Sequence, residues 1–185
     1  MKVIFLDVDG VLNCTRSNSR CMDCVGMDTD KLRRLKEIVD RTDAKIVLTT
    51  TWKEHYEVGA YKQYEPFAKY MNNKFRKFGL RVLDKVKDKR WVDRGEAILK
   101  WLDEHPEVNQ WLILDDQRFM YYDDNRIEPH WVRTYWRGNG LTEADKEAAI
   151  RILNGKRYGA FYDEEDYVKY RKGTFREDGP LGWAD

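Results

Sequence analysis

The sequence predicts an α/β protein built on a central, mostly parallel sheet with helices covering both faces. Two observations lead there. Short apolar runs (KVIFL, AKIVL, LRVL, WLIL and HWVRTYW) alternate along the chain with segments of helical periodicity. Strands alternating with helices imply βαβ units, hence a parallel sheet buried on both sides. The second observation is what ends these runs: KVIFL runs into Asp7, AKIVL into Thr49 and Thr50, and WLIL into Asp115 and Asp116. In an open parallel sheet the carboxyl ends of the strands share one edge, where ligands bind.

Each element has its own signal. KVIFL reads as the first strand, and the segment from Asp30 to Arg41 places Leu32, Leu35, Ile38 and Val39 on one helical face. AKIVL and LRVL are the next strands. DRGEAILKWLDEH starts with Asp93 as N-cap and Glu96 three residues on, a capping box, and stops before Pro106. WLIL is a strand and HWVRTYW another; Thr142 caps a final helix carrying Ala148, Ala149, Ile152 and Leu153. Two stretches break the rhythm. Residues 53–94 contain LRVL but are otherwise rich in aromatics and lysines, and the tail after Asn154 is aromatic and mixed in charge. That tail carries no legible function.

Composition bounds the function. The 185 residues suit one domain, and Val, Ile, Leu and Phe total 42, enough for a core. Charged residues reach 36%, yet 34 basic and 33 acidic groups leave a net charge of only +1, which argues against a mass binder of nucleic acid. No apolar run approaches a membrane span, and Asp7 interrupts any signal-peptide core, so a cytoplasmic protein without membrane association is expected. Cys14, Cys21 and Cys24 are odd in number and close together, and read as free thiols in a polar loop. No obligate protein partner is evident.

The chemistry gathers at the strand ends. Asp7 and Asp9 are two apart and followed by Gly10. With the chain extended through Val8, both carboxylates point to one side, and Gly10 permits a sharp departure. One carboxylate can attack an electrophile while the other moves a proton. Crowded carboxylates repel one another, and a hard cation such as Mg²⁺ resolves the repulsion.

These residues resemble a known family. FLDVDGVLN is similar to the first motif of the haloacid dehalogenase-type phosphatases, IVLTTTW to their second and WLILDD to their fourth. LTTTWK, RGEAILKWL, WLILDD and NGLTEAD further resemble the phosphatase domains associated with RNA-repair proteins, over Lys2 to about Asn154. The resemblance implies a Rossmann-like three-layer sandwich with a small or minimal cap over residues 1–154, followed by an extension, 155–185. It implies that Asp7 is the nucleophile and a Mg²⁺ ligand. Asp9 would be the general acid and base, with its carbonyl on the metal, and Thr49 or Thr50 would bond the phosphoryl group. Asp116 would hold the metal with Asp115 beside it. The third-motif cation is open between Arg94, at a helix start that favours anions, and Lys89 or Arg90.

Substrate follows from segment charge. Residues 53–94 hold 12 basic and 6 acidic groups, interleaved with Tyr56, Tyr61, Tyr64, Phe67, Tyr70, Phe75, Phe78 and Trp91. That pattern suits nucleic-acid ends or nucleotides. The three- and four-residue spacing of Phe67, Met71, Phe75 and Phe78 also describes an amphipathic helix, which leaves the lysines unexplained. Trp52 is the best-placed stacking candidate. The loop from Asn13 to Thr29 and the 53–94 segment occupy the positions of caps. The competing readings are a small-metabolite phosphatase and a non-catalytic nucleic-acid-binding module.

Overall fold

The computed structural model describes residues 1–87, 94–119, 122 and 126–156. Among them, seven strands and four α-helices follow in the order β1 (Lys2–Leu6), β2 (Arg20–Cys21), β3 (Cys24–Val25), α1 (Thr29–Thr42), β4 (Lys45–Leu48), α2 (Pro66–Lys77), β5 (Val82–Lys85), α3 (Arg94–Asp103), β6 (Gln110–Asp115), β7 (Trp131–Arg133) and α4 (Glu143–Leu153). Five strands form one sheet in the order β5-β4-β1-β6-β7, every neighbouring pair parallel. This is the Rossmann-like α/β arrangement that the sequence predicts.

Burial on both faces accounts for the unbroken apolar runs. Along β1, Ile4 and Leu6 face a core shared with Leu32, Leu35 and Ile38 of α1, Met71 and Phe75 of α2, and Ala149 and Leu153 of α4. Val3 and Phe5 face the opposite core, with Ile98 and Trp101 of α3 and Tyr122. Each such side chain contributes about 1.5–3 kcal/mol when removed from water. Register is the important detail. Leu6 lies level with Leu48 on one side and Leu114 on the other. The residues that follow, Asp7, Thr49 and Asp115 (the last residue of β6), therefore stand in one row at the carboxyl edge of the sheet. Two further ladder bonds carry the row onward, Asp7 N–H to the Leu114 carbonyl and Thr49 N–H to the Leu6 carbonyl, both 2.9 Å.

The structure refines several expectations. Asp93, the expected N-cap, lies outside the described residues together with Lys89, Arg90, Trp91 and residues 157–185. The stretch from Asn13 to Thr29, read as a polar loop, contains the antiparallel hairpin β2–β3. All three cysteines are free thiols, but only Cys24 is exposed; Cys14 and Cys21 are buried, and Cys21 joins the main core. In the 53–94 segment the helical spacing prevails as α2, with Met71 and Phe75 buried and Phe67 and Phe78 partly so. No helix among the described residues is long and apolar enough to cross a membrane.

At the start of α4, Thr142 Oγ1 accepts from the Asp145 N–H, and the Asp145 carboxylate accepts from the Thr142 N–H, a complete capping box. Thr142→Ala is expected to cost about 1 kcal/mol. Urea denaturation should show this as a lower midpoint with an unchanged slope.

Candidate active site

The row at the carboxyl edge brings Asp7, Asp115 and Asp116 together, with one carboxylate oxygen from each within 4.8 Å of the others. Arg94, the first residue of α3, lies against them. Its Nη1 donates to Asp115 Oδ2 at 2.6 Å and stands 3.5 Å from Asp7 Oδ2. The guanidinium is buried and lies over the Phe119 ring at 4.1 Å. Of the three basic candidates, Arg94 is thus beside the proposed nucleophile, while Lys89 and Arg90 fall outside the described residues.

Asp115 is fully engaged. Its Oδ2 also accepts from the Tyr122 hydroxyl at 3.1 Å, and its Oδ1 accepts from the Gln117 N–H at 3.0 Å. Asp116 is different: its Oδ1 is buried and has no hydrogen-bond partner among the described residues. The same is true of Thr49 Oγ1. Buried polar atoms are rarely left unsatisfied, so both atoms are suited to a bound group. Thr50 is committed locally, its Oγ1 accepting from the Trp52 N–H at 3.3 Å to cap a short 3-10 turn over Thr51–Lys53.

The chain turns after Val8, through Asp9 and Gly10, with the Leu12 N–H bonding the Val8 carbonyl at 2.8 Å. The two carboxylates meet different partners. Asp7 faces the buried cluster. Asp9 Oδ1 accepts from Asn13 Nδ2 at 2.8 Å, and Asp9 Oδ2 accepts from Trp52 Nε1 at 2.9 Å. Gly10 has φ +74°, and a Cβ there would stand 2.3 Å from Asp116 Cγ, so the turn passes too close to Asp116 for any side chain.

Electrostatics match this crowding. Burial pushes the Asp7 carboxyl well above its usual range, opposed by Arg94 and reinforced by Asp115 and Asp116. Burial, then Asp115, pushes Asp116 from 3.8 up to about 7. Burial likewise raises Asp115, although Arg94 opposes it, and it raises the Tyr122 phenol. A divalent cation held by Asp7 and Asp116 would offset the repulsion.

A pocket of about 800 Å³ opens over Asp9 and Asp116. Its walls are Val25 of the hairpin, Trp52, His55, Phe67 of α2 and Trp136, with Asp23, Glu54 and Glu65 also lining it. No lysine or arginine lines it among the described residues. Several cations of the 53–94 segment turn inward instead. Lys53 Nζ donates to the Thr49 and Thr50 carbonyls, Lys85 Nζ to the Lys53 and Tyr56 carbonyls, and Lys74 Nζ to the Met27 carbonyl. Arg76 lies over the Tyr61 ring. Trp52 is nearly buried, packs edge-on against Phe67 and spends its N–H on Asp9.

Sequence reasoning missed Asn13, Lys53 and Tyr122. Asn13 sits in the FLDVDGVLN run and closes the Gly10 turn by accepting the Gly10 N–H, a role that Asn three residues after a turn glycine could have flagged. Tyr122 had no signal in the sequence.

A parallel α/β sheet with Asp7 after β1, Thr49 after β4, and an acidic pair at the end of β6 defines a haloacid dehalogenase-like domain. Residues 3–146 match the family described as the HAD domain in Swiss Army Knife RNA repair proteins, and the chain belongs to that family. Neither a curated protein nor a solved structure matches it.

The raised carboxyls set a pH dependence. With the Asp116 value raised from 3.8 to about 7, the metal-free folded state holds more protons than the unfolded chain across that window, so stability falls as pH rises through it. Melting temperature in EDTA should decline from pH 5 to pH 8, and the gain on adding Mg²⁺ should widen over the same range. A gain that does not vary with pH would place the cation elsewhere.

Proposed function

We propose that this chain is a Mg²⁺-dependent phosphomonoesterase that works through an aspartyl-phosphate on Asp7, with phosphorylated nucleic-acid ends or nucleotides as substrates. The observation that carries the reading is the convergence of Asp7, Arg94 and Asp116 beside two buried oxygens, Thr49 Oγ1 and Asp116 Oδ1, that lack partners among the described residues. The family's connection with RNA repair supports the substrate class.

Asp7 attacks phosphorus, the bond to the substrate alcohol breaks, and Asp9 supplies the proton that the departing oxygen needs. Asp9 then takes a proton from water as that water attacks phosphorus, which frees inorganic phosphate and restores the Asp7 carboxylate. Thr49 Oγ1 donates to a phosphoryl oxygen. Arg94 keeps Asp7 oriented and balances its charge, a role Lys89 or Arg90 takes if Arg94→Ala leaves turnover near normal. Asp7 and Asp116, with the Asp9 carbonyl as a further oxygen ligand, would hold Mg²⁺, which would supply charge stabilisation at the phosphoryl group. Asp115 acts through Arg94 and Tyr122. The residues assigned to the reaction lie within 1–154, the phosphatase domain, and 155–185 form an extension.

A small-metabolite phosphatase is the second reading. It is favoured by the pocket lining, where Asp23, Glu54 and Glu65 disfavour a leaving group that carries further phosphates.

The test is phosphate release, with Mg²⁺ and with EDTA, from 5′- and 3′-phosphorylated oligonucleotides, mononucleotides and sugar phosphates. The expected result is metal-dependent release with the highest kcat/KM on an oligonucleotide or nucleotide, and loss of several orders of magnitude in Asp7→Asn. Highest kcat/KM on sugar phosphates transfers the assignment to the second reading. No release from any substrate leaves a binding module.

A further inference from the structure

The Asp9 carboxylate is held at both oxygens by donors from separate parts of the chain. Trp52 Nε1 reaches Oδ2 from the turn after β4, and Asn13 Nδ2 reaches Oδ1 from the loop after β1. Each donor is itself anchored. Asn13 is fully buried; its Oδ1 accepts the Gly10 N–H at 3.0 Å, and its Nδ2 also donates to the Val25 carbonyl of β3 at 3.1 Å. Trp52 rests edge-on against Phe67 with ring centroids 5.0 Å apart, and its backbone N–H is capped by Thr50. The turn beneath it is tied down by Lys53 and Lys85 through main-chain carbonyls. A buried indole N–H needs an acceptor, and the acceptor here is a carboxylate that lines the pocket.

We infer that Trp52 and Asn13 are positioning residues that fix Asp9 for proton transfer to the departing oxygen. The inference rests on the phosphatase reading and adds to it the residues that make Asp9 effective. An aspartate free to rotate spends much of its time out of line with the leaving oxygen. Two fixed donors remove that freedom before substrate arrives, and misplacement by about 1 Å costs roughly 10²-fold in rate. The indole that aims Asp9 is also a wall of the pocket, so a leaving group seated there lies against the ring that orients its proton donor.

Leaving groups differ in how much they need that proton. An alkyl alcohol leaves as a strongly basic alkoxide unless it is protonated in the transition state; p-nitrophenol leaves as a stable phenolate and gains little from an acid. The measurement is kcat/KM for an alkyl phosphate and for p-nitrophenyl phosphate, since kcat/KM covers only the steps through release of the alcohol. Trp52→Phe keeps an aromatic ring against Phe67 and removes the N–H. Replacing the Trp52 indole by its benzothiophene isostere does the same at constant shape, so the comparison does not hinge on whether the Phe variant folds.

The expected result is a fall of about 10- to 100-fold in the ratio of kcat/KM on the alkyl phosphate to kcat/KM on p-nitrophenyl phosphate, since any change in the pocket wall acts on both substrates while the lost aim of Asp9 acts on the alkyl ester. An equal loss on both substrates, or no loss on either, overturns the positioning role and leaves the phosphatase reading standing. An unmodified protein inactive on both overturns the phosphatase reading, and the inference with it.

Discussion

Arg94 and Asp115 meet where neither side chain is open to water, and the rest of the site is arranged around that contact. Taking a guanidinium and a carboxylate out of solvent costs several kcal/mol each, and an attraction of good geometry is needed to offset it. Here the guanidinium serves two carboxylates and lies on the Phe119 ring, while Tyr122 and the Gln117 N–H complete the bonding of Asp115. Three carboxylates less one guanidinium leave two negative charges when all are ionised. A divalent cation matches that sum, whereas a second arginine in the cluster would leave a single negative charge.

The layer above the sheet is held by main-chain bonds that long cationic side chains make. Lys53 and Lys85 reach inward to carbonyls around the Thr51–Lys53 turn, and Lys74 of α2 reaches the Met27 carbonyl. The Tyr70 hydroxyl accepts the Met27 N–H at 2.9 Å, joining α2 to the chain just after β3. These ammonium groups do the work of a few extra backbone bonds in a region whose own sheet is only the short β2–β3 hairpin. That use accounts for three of the segment's cations, which face main-chain carbonyls instead of the pocket.

Much of this could be read in the sequence because the signals were local. The apolar runs of β1, β4 and β6, and the carboxylates and hydroxyls directly after them, needed only chain adjacency to be located, and parallel pairing brought them into one row. The Leu32, Leu35 and Ile38 face of α1 needed only helical period. What escaped detection depends on contacts distant in sequence. Nothing near Trp52 says that its N–H meets Asp9, 43 positions earlier, and nothing near Lys85 says that it turns to the Lys53 carbonyl 32 positions away. Charge counted by segment likewise carries no direction, and direction separates a phosphate-attracting face from a set of internal clamps. The Gly10 turn shows the same division: its glycine could be read in the sequence, whereas the close approach of Asp116, which leaves no room there for a side chain, comes from another strand.

The common level of Leu6, Leu48 and Leu114 also fixes where the chain can change length. One residue added to or removed from the interior of β1, β4 or β6 moves its terminal side chain by about 3.3 Å along the strand and turns it to the opposite face. Asp7, Thr49 or Asp115 would then miss its neighbours by a whole rung, although every one of them was still present. The hairpin between β1 and α1 and the stretch between β4 and α2 carry no such bookkeeping. Size and shape of the pocket are free to vary there, while the spacing of the reactive groups is held by the sheet.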